Sequence, residues 1–401
     1  MKSVRLLLAV SCMLILSACS SPSSSAILDE KDEKFETEEY LPLYDQQLQF
    51  RTRANVRVQK WEDVYYALMR KWILYYDVKS GISGKLCGKN ECDHTTMQCN
   101  AFINWQMPTL QIYDRHLYWI EGGTLCRMEL NGENRETVRK ISVPRNNFDP
   151  LFVIHRGYVY FGVSDTQVKE GTSSDHYTIT RYELENAEKE GEILFEKDYN
   201  GSFVEWRLCG NTMYILVDDF VSNEGTAIYN REFYRYTAQK GLEELWNKKE
   251  DEWSLIDFSI SEEGQLTCLE QRSTDNGRAI QYAVVDLEKK EKEDIVCFDI
   301  QEGATARLYE DYMIVYLNHR VDGERVTPYA IYDRENHLIR EGEIRGFFVA
   351  PIGIDGENIL WSASDFHEEG GTLFALLELP IQGNGAVQTL ISCDVPMGQD
   401  L

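Results

Sequence analysis

The sequence predicts an all-β chain folded as a single β-propeller, with seven blades preferred and six or eight allowed. Three observations lead there. A strand-length run of apolar and aromatic residues recurs seven times, its starts separated by 53, 41, 55, 53, 47 and 46 residues. A second such run follows each of them about 8–25 residues later, with turn signals such as Gly122-Gly123, Asn131-Gly132, Asn276-Gly277, Asp322-Gly323 and Gly370-Gly371 between. Helical periodicity is weak throughout. One pair of strands cannot bury both its faces. Units repeating at this period therefore call for radial stacking, with about four strands per blade.

In chain order the first runs are Val64-Tyr65-Tyr66-Ala67, Leu117-Tyr118-Trp119-Ile120, Tyr158-Val159-Tyr160-Phe161 and Met213-Tyr214-Ile215-Leu216. Leu266-Thr267-Cys268-Leu269, Met313-Ile314-Val315-Tyr316 and Ile359-Leu360-Trp361-Ser362 continue them. The second runs begin at Leu74, Cys126, Thr180, Phe233, Ala283, Ala330 and Phe374. Most are rich in β-branched or aromatic residues, which fit a pleated, half-buried surface. Third strands are expected at Leu151 to His155, Phe203 to Leu208 and Phe347 to Ile352. Glu185 to Glu192 and Leu287 to Asp294 read as charged hairpin tips rather than helical turns. The stretch from Leu41 to Val58 is expected to complete either the last blade or the first. The segment Leu117 to Val138, L-Y-W-I-x-x-G-x-L-C-R-M-E-L-N-G-x-N-R-x-x-V, resembles a blade of YWTD-type propellers, a mark of a blade and not of a ligand.

Residues 1–18 read as a targeting segment. Lys2 and Arg5 precede the apolar run Leu6 to Leu16, which is too short to span a bilayer. It ends in Leu16-Ser17-Ala18-Cys19 and a serine-rich stretch, which resembles a bacterial lipobox. That resemblance implies lipid attachment to the Cys19 sulfur and cleavage before it. The chain then divides into a signal peptide (1–18), a lipidated Cys19 with a disordered acidic tether (19–40) and a propeller domain (41–401). The expected location is the extracytoplasmic face of a cell membrane. Net charge is -26 over the 401 residues. Removal of residues 1–18 takes Lys2 and Arg5 and no acid, leaving 39 cations against 67 acids. Nucleic acid is excluded as a partner, because phosphates need clustered Lys and Arg. The acidic surface instead favours cationic partners.

The densest chemical signal is Leu86-Cys87-Gly88-Lys89-Asn90-Glu91-Cys92-Asp93-His94-Thr95-Thr96-Met97-Gln98-Cys99-Asn100-Ala101, a C-x4-C-x-H-x4-C spacing. Three thiolates and an imidazole make a Cys₃His donor set, which suits a closed, structural Zn²⁺ site at Cys87, Cys92, His94 and Cys99. An exported chain also allows a disulfide with one spare thiol, or three free thiols. A redox motif is disfavoured, since C-x4-C is not C-x-x-C. With the lipobox and the Tyr75-Tyr76-Asp77 strand, this segment resembles exported lipoproteins of clostridial and related anaerobic bacteria. In these a first blade ends in LCxxxxCxHxxxxCxA and propeller repeats follow. The resemblance covers most of the chain and implies a surface-anchored propeller, without assigning chemistry. Cys126, Cys209, Cys268, Cys297 and Cys393 read as core packing.

No nucleophile elbow, zincin, P-loop, dinucleotide or EF-hand motif is present, and His367-Glu368-Glu369 lacks a second His. His116, His155, His176, His319 and His337 read as surface or capping residues. Asp218-Asp219, Glu262-Glu263 and Glu310-Asp311 lie at strand ends, where facing carboxylates in a central channel could cleave a glycosidic bond. Trp105, Trp206, Trp246 and Trp253 read either as gap fillers between blades or as stacking platforms. The leading expectation is a monomeric, non-enzymatic scaffold for a protein, peptide or glycan ligand. A glycan-acting enzyme and a metal- or thiol-handling protein are the alternatives.

Overall fold

The computed structural model describes residues 41, 44, 56–104, 109–141, 151–169, 172–199, 203–223, 226–251, 253–260, 265–275, 277–309, 312–366 and 371–396. These form a seven-bladed, all-β propeller without helices. Blade 1 holds β1 (Val56–Trp61), β2 (Val64–Met69), β3 (Trp72–Asp77) and β4 (Ile82–Lys85). Blade 2 holds β5 (Leu110–Tyr113), β6 (His116–Glu121), β7 (Thr124–Glu129) and β8 (Glu136–Lys140). Blade 3 runs through β9 (Leu151–His155), β10 (Tyr158–Lys169), β11 (Thr172–Glu183) and β12 (Glu192–Tyr199). In blade 4 these are β13 (Phe203–Cys209), β14 (Thr212–Asn223), β15 (Thr226–Thr237) and β16 (Gly241–Asp251). Blade 5 comprises β17 (Ser254–Ile260), β18 (Leu266–Thr274), β19 (Gly277–Asp286) and β20 (Glu291–Ile300). Blade 6 has five: β21 (Thr305–Leu308), β22 (Tyr312–Tyr316), β23 (His319–Val321), β24 (Glu324–Asp333) and β25 (Leu338–Arg345). Blade 7 closes the set with β26 (Phe348–Asp355), β27 (Asn358–Phe366), β28 (Gly371–Pro380) and β29 (Gln388–Pro396).

Each blade is an antiparallel meander, with a fifth short strand paired onto β24 in blade 6. The seven first runs of the sequence are the second strands, and the seven second runs are the third strands. The strands expected as third members at Leu151, Phe203 and Phe347 instead open their blades, as β9, β13 and β26. The tips at Glu185 and Leu287 are hairpin turns, although Glu291 to Asp294 already belongs to β20.

Apolar clusters fill the joints. Trp119, Leu117 and Met128 of blade 2 meet Tyr66, Leu68 and Ile73 of blade 1. Trp206 of blade 4 lies among Tyr160, Tyr177 and Ile179 of blade 3. Trp361 of blade 7 sits against Ile314, Tyr329 and Ile331 of blade 6. Such large rings are the bulk that a wedge-shaped gap between twisted sheets needs. Polar side chains then clamp the backbone of the neighbouring blade. Gln111 donates to the Ile154 carbonyl at 2.9 Å and accepts from its N–H at 2.7 Å. Asn318 does the same to Val349, at 2.9 Å each way. Asp218 accepts from Leu255 N–H at 3.0 Å, and Asp257 from Leu308 N–H at 3.2 Å.

The ring closes without a shared strand among the described residues. Blade 1 takes its first strand from the N-terminal side and blade 7 is built entirely from 348–396. The seam is apolar, with Val58, Tyr65 and Ala67 against Leu360, Phe374 and Leu376. At one end Lys60 Nζ pairs with Asp355 at 2.6 Å, and the buried Tyr65 hydroxyl donates to the same carboxylate. Glu378 stands beside them, accepting from Asn358 Nδ2 at 2.9 Å. Burial, then the Asp355 charge, raises the Glu378 pKa above its ordinary value. A raised acid contributes stability below its ordinary pKa, and that contribution is lost as pH rises through the folded value. Ionised Glu378 therefore costs stability at neutral pH. Glu378→Gln keeps the acceptor for Asn358 and is expected to raise unfolding stability at pH 7 by about 0.5 kcal/mol after screening. The gain should shrink toward pH 4 in urea titrations; a gain independent of pH would refute this account.

The blades differ in height. β2, β3, β6 and β7 have 6 residues each, whereas β10, β11, β14 and β15 have 12. In β14 the half from Met213 to Asp218 is mostly buried, and Phe220 beyond it is 37% exposed. At roughly 3.3 Å per residue, the extra length carries the hairpins of blades 3 and 4 about 20 Å further than those of blades 1 and 2.

Candidate metal centre

The segment from Leu86 to Asn104 leaves the last strand of blade 1 and leads into blade 2. Its ends are pinned to blade 1. Leu86 N–H donates to the Ile73 carbonyl at 2.9 Å, Ile73 N–H to Ala101 at 2.8 Å, and Ile103 N–H to Lys71 at 2.7 Å. A bridge between Trp72 and Phe102 lays the returning chain along β3. Leu86, Cys99, Ala101 and Ile103 are buried there. Tight turns fold the middle: Cys92 N–H reaches the Lys89 carbonyl at 3.4 Å, and Cys99 N–H that of Thr96 at 3.1 Å. His94 has a positive φ of 56°, which turns the chain at the third ligand position.

The result gathers Cys87, Cys92, His94 and Cys99. One ligand atom from each lies within 4.8 Å of the others, and His94 Nδ1 is 3.5 Å from Cys99 Sγ. Thiolates about 2.3 Å from one tetrahedral ion stand about 3.8 Å apart, so a small contraction would complete the sphere. The surroundings suit thiolate. Burial works against ionisation of Cys87, but backbone N–H groups of Lys89 and Asn100 and the Cys99 and Cys92 thiols bring its pKa below the usual value. Burial pushes Cys99 up to about 12, with the Ala101 N–H opposing. A buried thiol beside a second thiol that favours its charged form is chemistry that suits a soft cation. The described cysteines, Cys87, Cys92, Cys99, Cys126, Cys268, Cys297 and Cys393, form no disulfide.

Blade 2 holds the loop from its other side. The Gly132 carbonyl accepts from Gly88 N–H at 3.0 Å and from the buried Asn100 Nδ2 at 2.8 Å. Arg135 donates to the carbonyls of Asn100 and Phe102 and pairs with Glu121 at 2.5 Å. Lys85 Nζ caps the His94 carbonyl at 2.7 Å. None of these partners was visible in the spacing of the cysteines.

The remaining candidates are distributed through the structure. Cys126 and Cys268 are buried as expected, and Cys393 is half-buried at the seam. Cys297 is exposed on β20, so its place is not the core: the last strand of a blade has water on its outer edge. The side chain of Cys209 lies outside what is described. His155 is buried, with Nε2 2.6 Å from the Gly210 carbonyl, and joins blades 3 and 4 rather than lying at the surface. His176 pairs with Asp198 at 2.6 Å, and His337 stays in the exposed Asp333 turn at 3.1 Å. Asp218 is spent on Arg231 at 3.0 Å inside the joint of blades 4 and 5. Trp206 and Trp246 are buried gap fillers, and Trp253 underlies Arg272 at 4.8 Å. Cys19, Trp105, Glu262-Glu263, Glu310-Asp311 and His367-Glu368-Glu369 fall outside the described residues.

No family model matches the chain, and no curated protein matches it in sequence. Among solved structures it is similar to an ulvanlyase of polysaccharide lyase family PL25, with a TM-score of 0.54 and 11% identity over 89% of this chain and 96% of that one. It is also similar to a puromycin hydrolase, with a TM-score of 0.52 and 12% identity. That match covers 90% of this chain but 57% of the hydrolase, so the chain spans little more than half of that protein. At such identities the likeness is one of fold.

Proposed function

We propose that this chain is a lipid-anchored, extracytoplasmic binding scaffold, a propeller stapled by one structural zinc at Cys87, Cys92, His94 and Cys99. The observation that carries the scaffold reading is the uneven height of the blades. Rigid short blades with tall hairpins on blades 3 and 4 form a raised wall on a stiff ring, and binding residues collect on such projections. The donor set supports zinc. Four protein ligands leave no open position, so the ion would hold structure and not activate water. Anchoring follows from the lipobox-like Leu16-Ser17-Ala18-Cys19. Cys19→Ala is expected to abolish palmitate labelling in the producing cell; labelling that survives would overturn the anchor.

A glycan-acting enzyme is the second reading, favoured by Asp355 and Glu378, two neighbouring carboxyls of which one has a raised pKa. Both readings meet in one experiment. The protein spanning residues 20–401 is applied to neutral and acidic polysaccharides and to a cationic peptide, with binding and new sugar ends measured together. Binding without cleavage supports the scaffold. Cleavage lost in Glu378→Gln would establish the enzyme instead.

A further inference from the structure

We infer that Gly132 and Asn100 are positioning residues for the metal centre, and that the metal knuckle and the β7–β8 turn of blade 2 form one coupled unit. The inference rests on the zinc reading and adds where the ion's binding energy goes. The two residues that follow the first and last ligands, Gly88 after Cys87 and Asn100 after Cys99, both donate to one acceptor, the Gly132 carbonyl. An ion that fixes Cys87 against Cys99 therefore fixes both donors on a single atom of the neighbouring blade. Conversely, the carbonyl holds the two ligands at a set separation before any ion arrives.

The contact admits no slack. Gly132 has a φ of +83°, and a Cβ there would lie 2.8 Å from the Cys87 nitrogen and 2.9 Å from its Cα. Backbone lies on the far side, so the loop itself would have to move. Its turn is tied internally by Gly132 N–H to the Glu129 carbonyl at 2.9 Å. Asn100 is 8% exposed and offers the carbonyl its amide from within the joint. Arg135 adds a second link to the loop, through the Asn100 and Phe102 carbonyls. Neither Gly132 nor Asn100 supplies a side-chain ligand, yet both set ligand geometry. Residues in this position commonly govern metal affinity by 10–100-fold. Coupling of binding energies is reciprocal, so what the turn gives to the ion the ion returns to the turn.

The test uses the protein spanning residues 20–401 and zinc alone as probe. Zinc affinity is measured by competition with a chromophoric chelator for the parent, Asn100→Ala and Gly132→Ala. Hydrogen exchange of residues 129–140 is followed with zinc and after chelation. The expected result is zinc affinity lower by about tenfold or more in both variants. Exchange at 129–140 should rise on chelation while β18 and β19 in blade 5 stay protected. If Gly132→Ala does not fold, Asn100→Ala decides alone. Unchanged affinity, or exchange that rises equally in all blades, would overturn the coupling while leaving zinc intact. A parent that binds no zinc would overturn the zinc reading itself, before the variants are compared.

Discussion

Native mass spectrometry of residues 20–401, purified without reductant or chelator, is expected to show one zinc per chain. Cys92→Ser should remove that mass, and Cys126→Ser, buried in the same joint but outside the ligand set, should retain it. Stripping the ion should also destabilise the propeller. Free zinc a thousandfold above its dissociation constant stabilises the state that binds it by about 4 kcal/mol. Chelation is therefore expected to lower the denaturation midpoint clearly without unfolding the ring, because the apolar joints of blades 3 to 7 do not involve the knuckle. Zinc fingers, by contrast, have little core and lose their fold with the metal. A mass lower by two hydrogens and no metal would replace the staple by a disulfide, and the thiol pairing would then have to form from a loop in which all three sulfurs already lie together.

The parts of this fold legible in the sequence are those whose two faces are buried. Second and third strands, such as Leu117-Tyr118-Trp119-Ile120 and Phe374-Ala375-Leu376-Leu377, are sandwiched between neighbouring blades and read as apolar runs. Fourth strands do not. β16 reads Gly-Leu-Glu-Glu-Leu-Trp-Asn-Lys-Lys-Glu-Asp, and β25 reads Leu-Ile-Arg-Glu-Gly-Glu-Ile-Arg. Their outer edge is free, and charge on a free edge discourages pairing with other chains. Three first strands, β9, β13 and β26, read as strands but not as the openers of their blades, and others are interrupted by polar clamps such as Gln111 and Asp257, which hides their pattern. At the Cys/His cluster the four donors were legible because all lie on one short loop. Gly132 was not, for it lies 45 positions from Cys87 and meets it only through the packing of blade 2 on blade 1. Its Asn131-Gly132 pair announced a turn, but nothing announced what the turn would hold.

The second large effect is expected at Arg231, far from the Cys/His cluster. Asp218 and Arg231 stand opposite each other in the β14–β15 ladder. The guanidinium also pairs with Glu270 of blade 5 and donates to the Trp253 carbonyl at 3.2 Å, while Lys292 reaches Glu270 at 2.9 Å. The Arg231 and Glu270 side chains are fully buried, and Asp218 is 1% exposed. Removing one member strands the rest, so Arg231→Met is expected to cost about 3–5 kcal/mol in denaturant unfolding. The triple change Asp218→Asn, Arg231→Met, Glu270→Gln, which takes two carboxylates and the guanidinium away together and leaves Lys292 to Asp294 at 3.7 Å, should recover part of that loss. A triple variant no more stable than Arg231→Met would mean that shape, and not charge balance, holds this joint. The location gives the result its functional weight. Asp218 and Arg231 mark the level at which the blade 4 hairpin leaves the buried ring, and Phe220 and Tyr229, whose rings pack at 5.5 Å, stand just beyond. A hairpin anchored at its base by an interblade ion cluster is held in one orientation. In the triple variant any ligand captured by the raised wall should therefore still be captured, and in Arg231→Met the hairpin should exchange its amide hydrogens faster than the rest of blade 4.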